Sequence, residues 1–178
     1  FTSLRDHSLQ IYVFDLVDAS LTRLTPPGDN AQARYPAWSP DSSQIVYTAM
    51  RFGLLQIWSM SANGSNKQQV VRTGGTMSEY LPAWSPDGDS LFFSETNSSL
   101  TAPSSLARFD FHSSQYSLLP VPRPVVDIDI SPDGQWLAYE TTDTINQDIF
   151  IYHLGEAAPQ RLTTSPDIDF DPAWRPAK

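Results

Sequence analysis

Two short acidic segments are the places in this sequence where side chains could converge to do chemistry. In Asp127-Ile-Asp129 and Asp167-Ile-Asp-Phe-Asp171, carboxylates alternate with apolar residues. Alternate side chains of an extended chain share a face, so the acids of each segment line up on one side. Carboxylates gathered in this way repel one another unless they are paired or bound to a metal. Such a row suits basic side chains of a peptide, or a hard cation such as calcium with its preference for oxygen ligands. No loop has the spacing of an EF-hand, so no cofactor is expected beyond that calcium reading. The plainer reading is that these residues bond backbone amides, solvate a channel, or pair with Arg34, Arg123 or Arg175.

Other chemistry finds little support, and no catalytic residue is expected. The chain has no cysteine, which removes disulfides, thiolate metal sites and cysteine nucleophiles together. It has no Gly-x-Ser-x-Gly elbow of a serine hydrolase and no His-x-x-x-His pair for a zinc helix. Of the three histidines, His112 and His153 end strand-like runs and read as surface or hairpin positions. His7 stands apart, in a loop that would open beside the acidic segments. Gly74-Gly75 reads as a connector rather than a phosphate cradle. The Asn63-Gly-Ser65 and Asn97-Ser-Ser99 sequons have a use only in a glycosylating host.

Bulk properties narrow the partners. The net charge is −9 with no run of Lys or Arg, so the basic footprint of a nucleic-acid binder is missing. No apolar run approaches the roughly 20 residues of a membrane span, and no membrane insertion is expected. The chain begins with Phe1 and shows no signal-peptide pattern, as expected of a processed protein or an excised domain.

The elements that position the acids come from an internal repeat. Tyr35-Pro-Ala-Trp-Ser-Pro-Asp41, Leu81-Pro-Ala-Trp-Ser-Pro-Asp-Gly88, Asp127-Ile-Asp-Ile-Ser-Pro-Asp-Gly134 and Asp171-Pro-Ala-Trp-Arg-Pro176 align. Their central residues, Trp38, Trp84, Ile130 and Trp174, are 46, 46 and 44 residues apart. A period in the forties matches one four-stranded β-propeller blade. Each copy starts an innermost strand near Tyr35, Leu81 or Asp127, and a second strand follows over residues 44–48, 90–95 or 135–140. A third strand is expected over 55–60, 106–111 and 148–153, and a fourth over 69–73, 116–119 and 160–163. The Ser-Pro-Asp-Gly step has a local cause: Pro presets φ for a type I turn, Asp bonds nearby backbone, and Gly takes the left-handed position. The aspartates are therefore turn formers, and the Trp before each turn is expected to pack between blades. A sialidase Asp box would need Thr-Trp after the glycine, which is absent.

Phe1 to Tyr12 aligns with Tyr47 to Trp58, so the chain starts inside a second strand. Asp171 to Lys178 would then be able to complete the blade that Phe1 begins. Three all-β arrangements of these antiparallel blades remain open: a small closed ring of about four repeats, an arc of a larger propeller, or half of a ring completed by a homodimer.

The motif Pro-Ala-Trp-Ser-Pro-Asp-Gly, followed by an apolar strand and Ile-Tyr/Trp, resembles the TolB-like (WD40-like, PD40) propeller repeat over nearly the whole chain. Asp127-Ile-Asp-Ile130 departs from Pro-Ala-Trp but keeps the turn. The resemblance implies a bacterial, non-catalytic platform for a protein or peptide partner, used in the periplasm or elsewhere outside the cytoplasm. Similar repeats also occur as accessory domains of oligopeptidases, kinases and regulators. In a propeller, residues that open the innermost strands ring one mouth of the central channel. Here these are Arg34, Tyr35, Glu79, Tyr80, Asp127, Asp169 and Asp171.

Overall fold

The computed structural model describes residues 1–5, 7–25, 32–73, 75–97, 104–121, 124–142 and 146–175. They form strands and turns without a helix, and none of the described elements is a helix long and apolar enough to cross a membrane. Blade I holds β1 (Thr2–Ser3), β2 (Gln10–Phe14) and β3 (Leu21–Arg23). Blade II holds β4 (Ala33–Trp38), β5 (Gln44–Arg51), β6 (Leu54–Ser61) and β7 (Gln68–Gln69). Blade III holds β8 (Met77–Trp84), β9 (Ser90–Asn97), β10 (Ser105–Asp110) and β11 (Gln115–Leu118). Blade IV holds β12 (Val125–Ile130), β13 (Trp136–Thr142), β14 (Gln147–His153) and β15 (Gln160–Arg161). Each sheet is an antiparallel meander in chain order.

The second strands read as continuous apolar runs because both faces of a blade are covered. Ile45, Tyr47 and Ala49 join Ile11 and Leu24 in a core between blades I and II. Val46, the intervening residue, turns the other way and packs with Leu91 and Phe93 between blades II and III. Phe92 then faces Val125, Leu137 and Tyr139 between blades III and IV. The period of two therefore distributes one strand between two cores. Each fully buried aliphatic or Phe side chain contributes about 1.5–3 kcal/mol.

The fourth strands are shorter than expected in blades II and IV. β7 keeps two residues and β15 keeps two, at the outer edge where no further strand fixes the ladder. Val71 nevertheless stays in the core, so apolar burial outlasts the pairing there.

The three Ser-Pro-Asp turns are built alike. In blade III the Ser85 hydroxyl donates to Asp87 Oδ1 and accepts from the Ser90 amide at 2.9 Å. Ser39 does the same between Asp41 and Gln44, and Ser131 between Asp133 and Trp136. Gly88 and Gly134 take φ of 79° and 70°, and Ser42 holds the same place in blade II at φ 61°.

Trp84 Nε1 donates to the Ala37 carbonyl of the preceding blade at 3.3 Å, and Trp174 Nε1 donates to the Asp129 carbonyl at the same distance. These Trp side chains thus pin one inner strand to the next. Trp38 is 47% exposed; among the described residues blade I has the three strands β1–β3 and no inner strand beside Trp38. Residues 171–175 lie along blade IV, through Asp171 to Glu140 and Trp174 to Asp129. Among the described residues no backbone pairing joins them to β1, and the four sheets form an open row. A closed four-blade ring is therefore not formed by the described residues; 176–178 lie outside them.

Candidate functional site

Each inner strand carries a β-bulge just after its opening residues. The register shifts between Arg34 and Ala37 in β4, between Tyr80 and Ala83 in β8, and between Val125 and Ile128 in β12. Tyr35, Leu81 and Asp171 adopt left-handed φ of 54°, 54° and 55°, and each is followed by Pro. A proline has no N–H to give the ladder, so a bulge is where a sheet accepts one. Bulges also re-aim side chains at strand ends. The mouth of the row is thus set by a bulge repeated from blade to blade.

The seven residues assigned to this mouth occupy different environments. Tyr35 is 43% exposed at the blade II bulge. Arg34 beside it is half-buried, and its Nη2 donates to Gln32 Oε1 at 2.5 Å. Tyr80 is half-buried in β8, opposite Ser94. Glu79 is enclosed between blades II and III and does not meet solvent. Its carboxylate accepts from the Ile57 amide at 3.3 Å and from Thr73 Oγ1 at 2.7 Å. Burial pushes the Glu79 carboxyl up to about 7, and Glu95, directly opposite on β9, adds to the rise. Glu95 is itself buried and shifted upward by desolvation.

Asp127 and Asp171 do come together, and they bring Glu140 with them. One carboxylate oxygen from each of the three lies within 4.8 Å of the others. Glu140 is buried, accepts from the Asp171 amide at 2.6 Å, and is bonded by the Gln147 side-chain amide. Asp127 is half-buried and bonded by the Ile128 amide at 2.9 Å. Its carboxyl is raised by burial first, then by the charges of Glu140, Asp171 and Asp129. Asp169 stands two residues before Asp171, its backbone amide on the Gln147 carbonyl and its Oδ2 buried without a partner.

Glu140 was not among the expected site residues. It occupies the second-strand position held by Thr48 and Ser94 in the other blades. A carboxylate where two repeats carry hydroxyls was the signal. Among the described residues neither Arg34 nor Arg175 forms an ion pair with the three acids; Arg123 lies outside those residues. Three oxygen donors of this kind suit a hard cation such as calcium or manganese. They equally suit the guanidinium or ammonium group of a bound peptide.

Among the described residues the histidines do not converge with a nucleophile. His112 Nε2, in the turn between β10 and β11, lies 3.1 Å from Asp89, and His153 Nδ1, at the end of β14, lies 3.8 Å from Glu156. His7 takes φ 61° in the hairpin between β1 and β2.

The repeated bulge and turn can be compared with known proteins. The family model of the TolB beta propeller domain (PD40) matches residues 1–122. The chain belongs to the TolB β-propeller family. The fold of this PD40 chain also superposes on solved structures. TolB from Acinetobacter baumannii matches with a TM-score of 0.73 and 20% identity, over 91% of this chain and 39% of that one. A putative TolB from Agrobacterium tumefaciens gives 0.74 and 20%, over 88% and 55%. An oligogalacturonate lyase in complex with manganese gives 0.68 and 17%, over 86% and 41%. The PD40 chain thus spans between about two-fifths and just over half of these proteins.

Proposed function

We propose that this PD40 chain is a non-catalytic binding module whose protein or peptide partner docks at the mouth formed by the openings of the inner strands. The observation that carries this reading is the carboxylate triad of Asp127, Glu140 and Asp171, held at a bulge where, among the described residues, no arginine forms an ion pair with it. A basic segment of the partner supplies the missing charge. Tyr35 and Tyr80 add broad apolar contact with a polar tip, the kind of side chain that dominates binding surfaces. Arg34 and Asp169 flank the contact and set its polarity. Calcium is the second ligand class that the triad's oxygens suit. Completion of a larger ring by a second copy of the chain belongs to the same reading.

The test is capture of partner proteins by the immobilised chain, with Asp169→Ala/Asp171→Ala as the comparison. The double variant is expected to keep the wild-type circular dichroism and lose the captured partner. Undiminished capture by the double variant would overturn the reading. A second reading, an accessory propeller of a larger enzyme, is supported by the likeness to the lyase and by the share of that chain's length that is matched. Turnover of any substrate that a mouth substitution abolishes would favour it.

A further inference from the structure

The Ser-Pro-Asp turns stand at the opposite ends of the inner strands from the triad. Between the turns of blades II and III lies a cleft of about 400 Å³, lined by Pro40, Asp41, Gln44, Trp84, Asp87 and Phe111 among others. Trp84 and Phe111 stack in its wall, ring centroids 5.3 Å apart and 15° from parallel, with Phe109 edge-on to Phe111. Carboxylates of two successive turns stand at its rim. We propose that this cleft binds a cationic side chain, an arginine presented by a partner peptide, between the Trp84–Phe111 wall and the carboxylates of Asp41 and Asp87.

The aromatic pair is not required by the turn. Phe111, Leu154 and Ala62 hold one repeat position, each amide bonding the carbonyl two residues after the turn aspartate, at 3.0, 2.9 and 2.9 Å. Blade IV thus builds the same turn with Ile130 and Leu154, and blade II with Trp38 and Ala62. Only blade III, among the described residues, joins two aromatic rings there. The carboxylates are kept anionic by the turn itself. The Ser39 hydroxyl and the Ser43 amide hold Asp41 down to about 2, and Ser85 with the Asp89 amide lowers Asp87. The hydrogen bonds to Asp87 fall on Oδ1, so Oδ2 retains its acceptor capacity. A guanidinium is flat, stacks on aromatic faces and donates two parallel hydrogen bonds to a carboxylate, whereas an ammonium offers a point charge. The chain already places arginines over its own rings, as with Arg51 over Trp58 at 5.2 Å. A net charge of −9 adds long-range attraction for such a partner.

The probe is acetyl-Gly-Arg-Gly-amide, titrated into isotopically labelled protein. Saturable shifts of the Trp84 indole and Gly88 amide resonances are expected, weakening as salt is raised. Asp87→Asn keeps the Oδ1 acceptor of the turn but removes the charge, and is expected to weaken binding about tenfold. Phe111→Leu installs the residue that blade IV tolerates, and is expected to weaken it by a similar factor. Asp169→Ala/Asp171→Ala leaves this binding unchanged, which separates the cleft from the mouth reading. No saturable shift would overturn the proposal. So would equal affinity in Asp87→Asn, or an equal response to acetyl-Gly-norleucine-Gly-amide, in which an uncharged alkyl chain replaces the arginine side chain, or to a neutral sugar.

Discussion

Ser42→Gly isolates the energetics of the repeated turn, because two other blades supply the control. Ser42 holds φ at 61°, where Gly88 and Gly134 hold 79° and 70°. Its amide bonds the Ser39 carbonyl at 2.9 Å, as Gly88 and Gly134 bond Ser85 and Ser131 at 2.9 and 2.8 Å, so the turn geometry is shared. A Cβ in the left-handed region costs about 1–2 kcal/mol. Glycine restores roughly 0.4–1 kcal/mol of chain entropy to the unfolded state. The net expectation is a gain of about 0.5–1 kcal/mol. For a chain of this size that raises the melting temperature by roughly 1–4 °C. Ser42 is exposed and donates no side-chain bond among the described contacts, so little else changes. The reverse variants, Gly88→Ser and Gly134→Ser, should lose a similar amount. A Cβ there meets Pro40 at 3.9 Å and Pro86 at 3.5 Å, ordinary contact distances. Urea denaturation of the three variants measures all of this. A destabilised Ser42→Gly, or an unaffected Gly88→Ser, would refute the reasoning.

Other outcomes follow from the buried polar groups. Glu79 has a carboxyl raised from 4.5 to about 7, so between those values the unfolded chain releases a proton that the folded chain keeps. Stability therefore falls as pH rises through that window, by at most roughly 3 kcal/mol; Glu95, shifted the same way, adds to the slope. Glu79→Gln should flatten the slope, read as urea midpoints at about pH 5 and about pH 8. Ser85→Ala leaves the Ser90 amide without its hydroxyl acceptor and should cost about 1–3 kcal/mol by the same assay. If calcium binds the triad, it should raise the melting temperature of the wild-type chain and leave that of Glu140→Gln unmoved, measured by calorimetry.

The blade plan was legible because each copy carries its own local cause. Pro, Asp and Gly specify the turn whatever surrounds them, and the apolar second strands follow from burial on both faces. Tertiary context decided the rest. The X-Pro rule leads one to expect an extended residue at Tyr35, Leu81 and Asp171, since Pro disfavours helical backbone before it. The structure places all three in the left-handed region, where the bulge and the neighbouring blade outweigh the local preference. The place of Glu140 in the triad is set by tertiary context in the same way. Its approach to Asp171, 31 residues away, exists only once the chain after blade IV lies against β13. Asp129 similarly serves the backbone, accepting from Trp174 and Ile130 rather than joining the triad. Alternation in the sequence identifies which acids share a face; it does not say which of them a neighbouring strand will claim.

The open row of blades has a mechanical consequence. Each of the three apolar cores belongs to one pair of adjacent blades, with none shared among all four. Such an assembly behaves like a chain of coupled spins, its stability a sum of unit terms and nearest-neighbour couplings. A perturbation in blade I must cross three interfaces to reach the triad at blade IV, and it is attenuated at each. The inner blades, coupled on both sides, are the last to open, while the outer ones fray first. Affinity at one end can therefore be tuned by substitution without retuning the other.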